Sequence, residues 1–162
     1  KKKANQLGYR SLVVSTYLTG LTTHVAAFLE GIIQTERAHH QPLEKPACLI
    51  FGGETTVEVT GEGLGGRNQD LALRMVPKLY GVKGVLFISL ATDGEDGPTD
   101  SAGAVTDSQV LQEAKGTYDL DINAYMENND SYHFFEKVGG LIQIGSTGTN
   151  VNDLILIFVK DD

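Results

Sequence analysis

Val85-Leu86-Phe87-Ile88-Ser89-Leu90-Ala91 runs directly into Thr92-Asp93-Gly94-Glu95-Asp96-Gly97-Pro98-Thr99-Asp100-Ser101-Ala102-Gly103. The first segment is nearly continuous in apolar side chains and too short for an ordinary helix, which is the pattern of a strand covered on both faces. The second packs four carboxylates into the eight residues from Asp93 to Asp100 and breaks the chain with glycine and proline. A buried strand that empties into a polar loop is the unit of α/β architecture, where ligands gather beyond the carboxyl ends of the strands.

The neighbouring sequence repeats the theme. Ala47 to Phe51 is a second buried-type strand, and Ser11 to Ser15, Leu141 to Ile144 and Leu154 to Val159 are further strand candidates. Between them, helical spacing joins Val25, Phe28, Leu29, Ile32 and Ile33, with Thr22 or Thr23 as cap. Leu71, Ala72, Met75 and Val76 form a second stripe after Arg67, in a helix that Pro77 is expected to kink or end. Shorter helices are predicted at about 107–115, 121–127 and 131–138, with Asp107, Asp121 and Asp130 as N-caps and Gly139 as a stop. The expected fold is therefore α/β: a layered α/β/α domain with a mixed, mostly parallel sheet. Thr55 to Val59, which alternates polar with apolar, is its expected antiparallel exception.

The chain has 162 residues, close to one domain at roughly 150 residues each. Its 19 glycines have no three-residue period and point to loops defined by the backbone. A formal charge of -8 and a pI near 4.9 argue against a protein that binds by neutralising nucleic-acid phosphates. The single cysteine, Cys48, excludes an internal disulfide, and its apolar surroundings read as core. No apolar run reaches the ~18 residues of a membrane span. Lys1 to Leu7 reads as the end of a helix, with Gly8 as its left-handed stop. With neither an initiator methionine nor an apolar signal segment, the chain reads as a piece of a longer protein.

Three loops are candidates for chemistry. Gly61-Glu62-Gly63-Leu64-Gly65-Gly66-Arg67-Asn68-Gln69 leads into a helix. Its glycines let amides approach an anion, and Arg67 adds a fixed donor fork. The same residues admit a nicotinamide dinucleotide, since Gly61, Gly63 and Gly66 satisfy that fingerprint, or a purely structural turn. The acidic loop after Ala91 suits a divalent ion or a set of Asx-turns. An EF-hand is excluded, because the twelfth position from Asp93 is Ala104. Gly145-Ser146-Thr147-Gly148-Thr149-Asn150-Val151-Asn152-Asp153 offers hydroxyl and amide groups to a phosphate or sugar, or forms a plain polar turn. Asn129-Asp130-Ser131 reads as a helix cap. His24, His39, His40 and His133 lack metal-ligand spacing, and neither a GxSxG elbow nor a Walker loop occurs.

In order, Gly52-Gly53-Glu54-Thr55-Thr56, Gly65-Gly66-Arg67-Asn68-Gln69, Thr92-Asp93-Gly94, Asp96-Gly97-Pro98-Thr99-Asp100, Ala102-Gly103-Ala104, Asn129-Asp130-Ser131 and Thr147-Gly148-Thr149-Asn150-Val151-Asn152-Asp153 strongly resemble the carboxyl-terminal MOFRL domain of glycerate 2-kinases, a family also described as hydroxypyruvate reductase. The resemblance covers residues 47–162, with 1–46 as a lead-in segment and the amino-terminal domain of the parent enzyme absent. It implies a cytoplasmic kinase that moves the γ-phosphoryl of Mg-ATP to D-glycerate in a cleft shared with that missing domain, so that this part alone has little activity. It further implies Arg67, Asp93 and Asp96 as catalytic residues. Gly65, Gly66, Asn68, Thr99, Thr147, Thr149 and Asn150 would contact substrate or phosphate, the two threonines and Asn150 from the opposite wall. Asp93, Asp96 and Asp100 would hold Mg²⁺. An NAD(P)H-dependent reductase and a non-catalytic lid domain stay open as alternatives, as does a homodimer.

Overall fold

The structure is a computed structural model that describes residues 1–161. Six strands form one sheet: β1 (Arg10–Leu21), β2 (Ala47–Thr56), β3 (Val85–Ala91), β4 (Gly103–Asp107), β5 (Leu141–Ile142) and β6 (Asp153–Val159). Their spatial order is β1-β2-β6-β3-β4-β5. The helices are α1 (Lys2–Gln6), α2 (Thr22–His39), α3 (Arg67–Leu79), α4 (Val110–Gly116), α5 (Ile122–Glu127) and α6 (Ser131–Val138). The α/β class and the mixed sheet are as expected.

The balance of directions is not. Only β1 and β2 pair in parallel, while β2–β6, β3–β6, β3–β4 and β4–β5 are antiparallel. The last strand slots between β2 and β3, two apolar strands that point the same way, and separates them. Leu49 of β2 faces Ile157, which in turn faces Phe87 of β3. An apolar run reports that a strand is buried and says nothing about the direction of its neighbours.

Thr55 to Val59 is not a separate antiparallel strand either. β2 continues across Gly52-Gly53 to Thr56 and stays parallel to β1, with Thr55 opposite Gly20 and Thr56 opposite Leu21. Gly53 permits this passage, since its φ is +151° and a Cβ there would lie 2.1 Å from the Leu18 carbonyl oxygen. The lead-in segment thus shares one sheet with the rest of the chain.

The core lies on one face of the sheet. Leu49, Phe51, Phe87, Ile155 and Ile157 meet Val25, Leu29 and Ile33 of α2, most of α3, and Phe134 and Phe135 of α6. On the other face, among the described residues, only α1 contributes a layer, through Ala4 against Cys48 and Ile50. Cys48 is fully buried, as its apolar surroundings indicated, and burial pushes its thiol pKa up.

Helix ends depart from expectation in detail. Pro77 sits near the end of α3, which runs on to Leu79, because only the last turn loses a backbone bond there. Leu21, not a threonine, is the N-cap residue of α2. Asp107 ends β4 and accepts from the Gln109 amide, so α4 starts later than predicted. Asp121 caps α5 through Asn123 as predicted, and Gly139 stops α6 with φ +79°.

Candidate functional site

The carboxyl ends of β2 and β3, the amino ends of β4 and β6, and the start of α3 meet at one end of the sheet. All three candidate loops lie there. A cleft of about 500 Å³ opens between β2 and the glycine loop, lined among others by Glu54, Gly65, Gly66, Arg67, Asp70 and Ser131.

Among the described residues Arg67 is the one cationic side chain lining this cleft. Its Nε donates to Asp153 Oδ2 at 2.7 Å and its Nη2 to Asp153 Oδ1 at 3.0 Å, a two-point grip that leaves little rotational freedom. Asp153 is buried at the first position of β6, opposite Gly53 of β2 and Ala91 of β3. Nη1 turns to Glu54 Oε1 at 3.0 Å. The bond to Asp153, ahead of the charges around it, raises the guanidinium pKa, so Arg67 is firmly charged. Asp70, on the same cleft wall, is already neutralised by Arg74 at 2.7 Å and accepts from the Thr22 hydroxyl.

Each glycine of the loop has a neighbour that explains it. Cβ atoms at Gly61 and Gly63 would meet Asn128 and Asp130 at 2.4 Å, at Gly65 the Ser131 Oγ at 2.1 Å, and at Gly66 the Asp96 Cγ at 2.3 Å. The loop lies flat on the segment before α6, and that segment satisfies its backbone. Asn129 Oδ1 accepts from the amides of Thr60 and Gly61, Asn128 Oδ1 from Glu62, the Asn128 carbonyl from Gly63, and Asp130 Oδ1 from Leu64. Asn129 reaches this position in the left-handed region, at φ +54°. Asn129-Asp130-Ser131 is therefore a strap for the glycine loop more than a cap, a role that a distant partner 66 to 69 residues away conceals from sequence.

This geometry opposes the dinucleotide reading, since the amides of Gly61, Glu62, Gly63 and Leu64 are consumed within the chain and cannot turn to a pyrophosphate. The amides of Gly65 and Gly66, next to Arg67, have no acceptor among the described residues.

Asp96 and its partners belong to the fold. The carboxylate is buried at 1% exposure and takes four N–H groups: Asn68 N and Nδ2 on Oδ1, Gln69 N and Nε2 on Oδ2, at 2.8–3.1 Å. It is the N-terminal cap of α3, supplied from another loop. Burial raises its pKa and the four donors work against that rise. Asn68, also buried, spends its remaining oxygen on the Ser89 hydroxyl at 2.6 Å. Thr99 Oγ1 accepts from Gln69 Nε2 and donates to the Asp96 carbonyl. The polar atoms of Asp96, expected as catalyst and metal ligand, and of Asn68 and Thr99, expected as substrate contacts, are engaged by these partners inside the protein.

Asp93 is placed differently. It is partly exposed, with Oδ1 accepting from Glu95 N and Oδ2 from Asn150 Nδ2 at 2.9 Å. Thr147 donates its amide to the Asp93 carbonyl and its hydroxyl to the Thr92 carbonyl, while Thr149 N donates to Thr147 Oγ1. Thr147, Thr149 and Asn150 are thus tied directly to the Asp93 segment. Asp100 stands apart and exposed, its two oxygens held by Tyr132 at 2.8 Å and Gln143 at 3.0 Å. The Tyr132 bond, then the Gln143 bond, hold its carboxyl below the ordinary carboxylate range. Asp93, Asp96 and Asp100 do not converge, and among the described residues no group of three or more His, Cys, Asp or Glu is arranged to hold a metal.

Comparison with known proteins places this geometry. The MOFRL family model matches residues 47–153. D-glycerate 2-kinase of Thermotoga maritima is 44% identical over 156 residues, 96% of this chain and 37% of that protein. Glycerate 2-kinase of Pyrococcus horikoshii is 36% identical over 98% of this chain and 36% of its own length. The crystal structure of the Thermotoga maritima glycerate kinase superposes with a TM-score of 0.94 over 98% of this chain and 38% of that one, at 43% identity. A second crystal structure, from Pyrococcus horikoshii, gives 0.91 at 35% identity, over 99% of this chain and 37% of that one. The chain spans little more than a third of the length of these relatives.

Proposed function

The chain belongs to the MOFRL family and is a glycerate kinase homologue, and from that premise we propose that it forms one wall of a cleft in which the γ-phosphoryl of Mg-ATP passes to D-glycerate, giving 2-phosphoglycerate. One observation carries the reading: a charged arginine, gripped at two points by a buried aspartate, stands in a cleft beside two glycines with unengaged amides. Phosphoryl transfer asks a protein chiefly to position its reactants and to stabilise developing charge. Arg67, Gly65 and Gly66 do this for the glycerate carboxylate or a phosphate group.

Mg²⁺ needs only one or two carboxylates when water and phosphate complete its shell. Asp93, exposed in part and steadied by Asn150, fits that demand, whereas Asp100 stands apart with its oxygens on Tyr132 and Gln143. When bound, the ion neutralises charge on the transferred phosphoryl group. In this reading Asp93, partly exposed, takes the proton of the attacking hydroxyl. Thr147 and Asn150 orient it, and Asp96 holds the helix start that carries Arg67.

The opposite wall comes from a further domain of the same enzyme, so the 162-residue chain alone turns over little or nothing. The test is to give the enzyme that contains this chain Mg-ATP and D-glycerate and identify the phosphorylated product. Arg67→Ala should lower kcat/KM by about 10²-fold or more. An unchanged kcat/KM removes the anion role, and robust turnover by the isolated chain removes the shared cleft.

A further inference from the structure

The two acids on Arg67 are unlike. Asp153 is fixed: its side chain is 4% exposed, it sits in the middle of the sheet, and it holds Nε and Nη2 together. Glu54 is loose: its side chain is 53% exposed, and it makes one contact, at 3.0 Å, to Nη1. It projects from the end of β2 into the cleft. The three groups carry a net charge of -1, so an anion entering the cleft meets a negative cluster while Glu54 stays in place. If Glu54 leaves, the anion meets a guanidinium balanced by Asp153 alone, with Nη1 open.

We infer that Glu54 is an exchangeable counter-ion of Arg67: it occupies the anion position in the resting site and is displaced by the ligand, while Asp153 holds the guanidinium still through the exchange. The inference rests on the proposed anion role of Arg67 and adds a selectivity to it. A tethered carboxylate competes at high local concentration, so single-point monoanions such as chloride do not occupy Arg67. A phosphate group or a carboxylate that also reaches the Gly65 and Gly66 amides replaces several contacts at once and wins. Glu54 is thus a specificity-determining residue whose removal strengthens anion binding, the opposite of what loss of an ordinary ligand contact does.

The probe is inorganic phosphate, titrated into the enzyme that contains this chain while the Arg67 Nε–Hε resonance is followed by NMR. In the wild-type enzyme the resonance shifts and saturates. In Glu54→Gln it should saturate at about two- to fivefold lower phosphate, as expected for removal of one exposed, competing ion pair, and high salt should shrink the difference. Glu44→Gln, which removes the same charge from an exposed site paired with Arg10, should leave the midpoint unchanged. If Glu54→Gln binds phosphate no more tightly than wild type while the Arg67 signal still responds, the counter-ion inference is overturned and the anion role stands. If phosphate moves the Arg67 signal in neither protein, both fall.

Discussion

Replacing Asp96 by alanine separates the two roles that sequence and structure assign to this residue. In the folded chain its carboxylate is the acceptor for the Asn68 and Gln69 amides and for both side-chain amides. Gln69 Nε2 keeps Thr99 Oγ1 and the Asp96 carbonyl after the substitution. The two backbone amides and Asn68 Nδ2 keep nothing. Loss of an N-cap costs about 1–2 kcal/mol, and each buried donor left unpaired adds roughly 1–3 kcal/mol. Against this, alanine ends the desolvation of a buried carboxylate, the same cost that lifts the Asp96 pKa. The balance is a loss of about 2–4 kcal/mol, a large share of a typical 5–15 kcal/mol. At about 2–4 °C per kcal/mol for a domain of this size, Tm falls by roughly 5–15 °C. Urea unfolding followed by circular dichroism measures it, with a lower midpoint at unchanged m-value. Asp96→Asn should fall between, because one amide oxygen still serves Asn68 while the NH₂ group faces the Gln69 donors. A stability within 1 kcal/mol of wild type would refute the capping argument. If magnesium dependence weakened in such a stable variant, the metal role would return to Asp96.

Two further predictions concern acids outside the cleft. Glu36 is fully buried on α2, neither carboxylate oxygen has a hydrogen-bond partner among the described residues, and burial raises its pKa above the ordinary 4.5 against the nearby charge of Lys45. A carboxyl that is harder to ionise when folded makes stability fall as pH rises from about 4.5 through the raised value, so the charged form is the costly one. Glu36→Leu should therefore stabilise the chain by about 1–2 kcal/mol more at pH 8 than near pH 4, and equal effects at both pH values would sink the argument. Asp100 carries the opposite sign. Its carboxyl titrates below 3.8 because Tyr132 and Gln143 donate to the ionised form, so its contribution is present above that pH and fades below it. Tyr132→Phe should move the Asp100 carboxyl resonance midpoint back up towards 3.8, and an unmoved midpoint would mean that the hydroxyl bond is not its cause.

Much of this protein was legible in its sequence. Strand Val85 to Ala91, the helix after Arg67 and the buried Cys48 follow from apolar spacing, since burial on one face of a strand or helix repeats along the chain. The glycine series around Arg67 marks close backbone approach, and the order of motifs indicates the family. Direction and partnership are not local. Whether β6 enters the sheet parallel or antiparallel depends on which strands flank it, and Leu156 between Ile50 and Ile88 would be as apolar in either arrangement. The same limit applies in the site. Asp93, Asp96 and Asp100 look alike in sequence, yet one is bonded to Asn150, one caps a helix 27 to 28 residues away, and one meets Tyr132 in solvent. Asp153, which grips Arg67 across 86 residues of chain, carried no signal of its role beyond its place in a polar loop. A carboxylate's chemistry is set by the donors and water around it, and those arrive only when distant segments fold together.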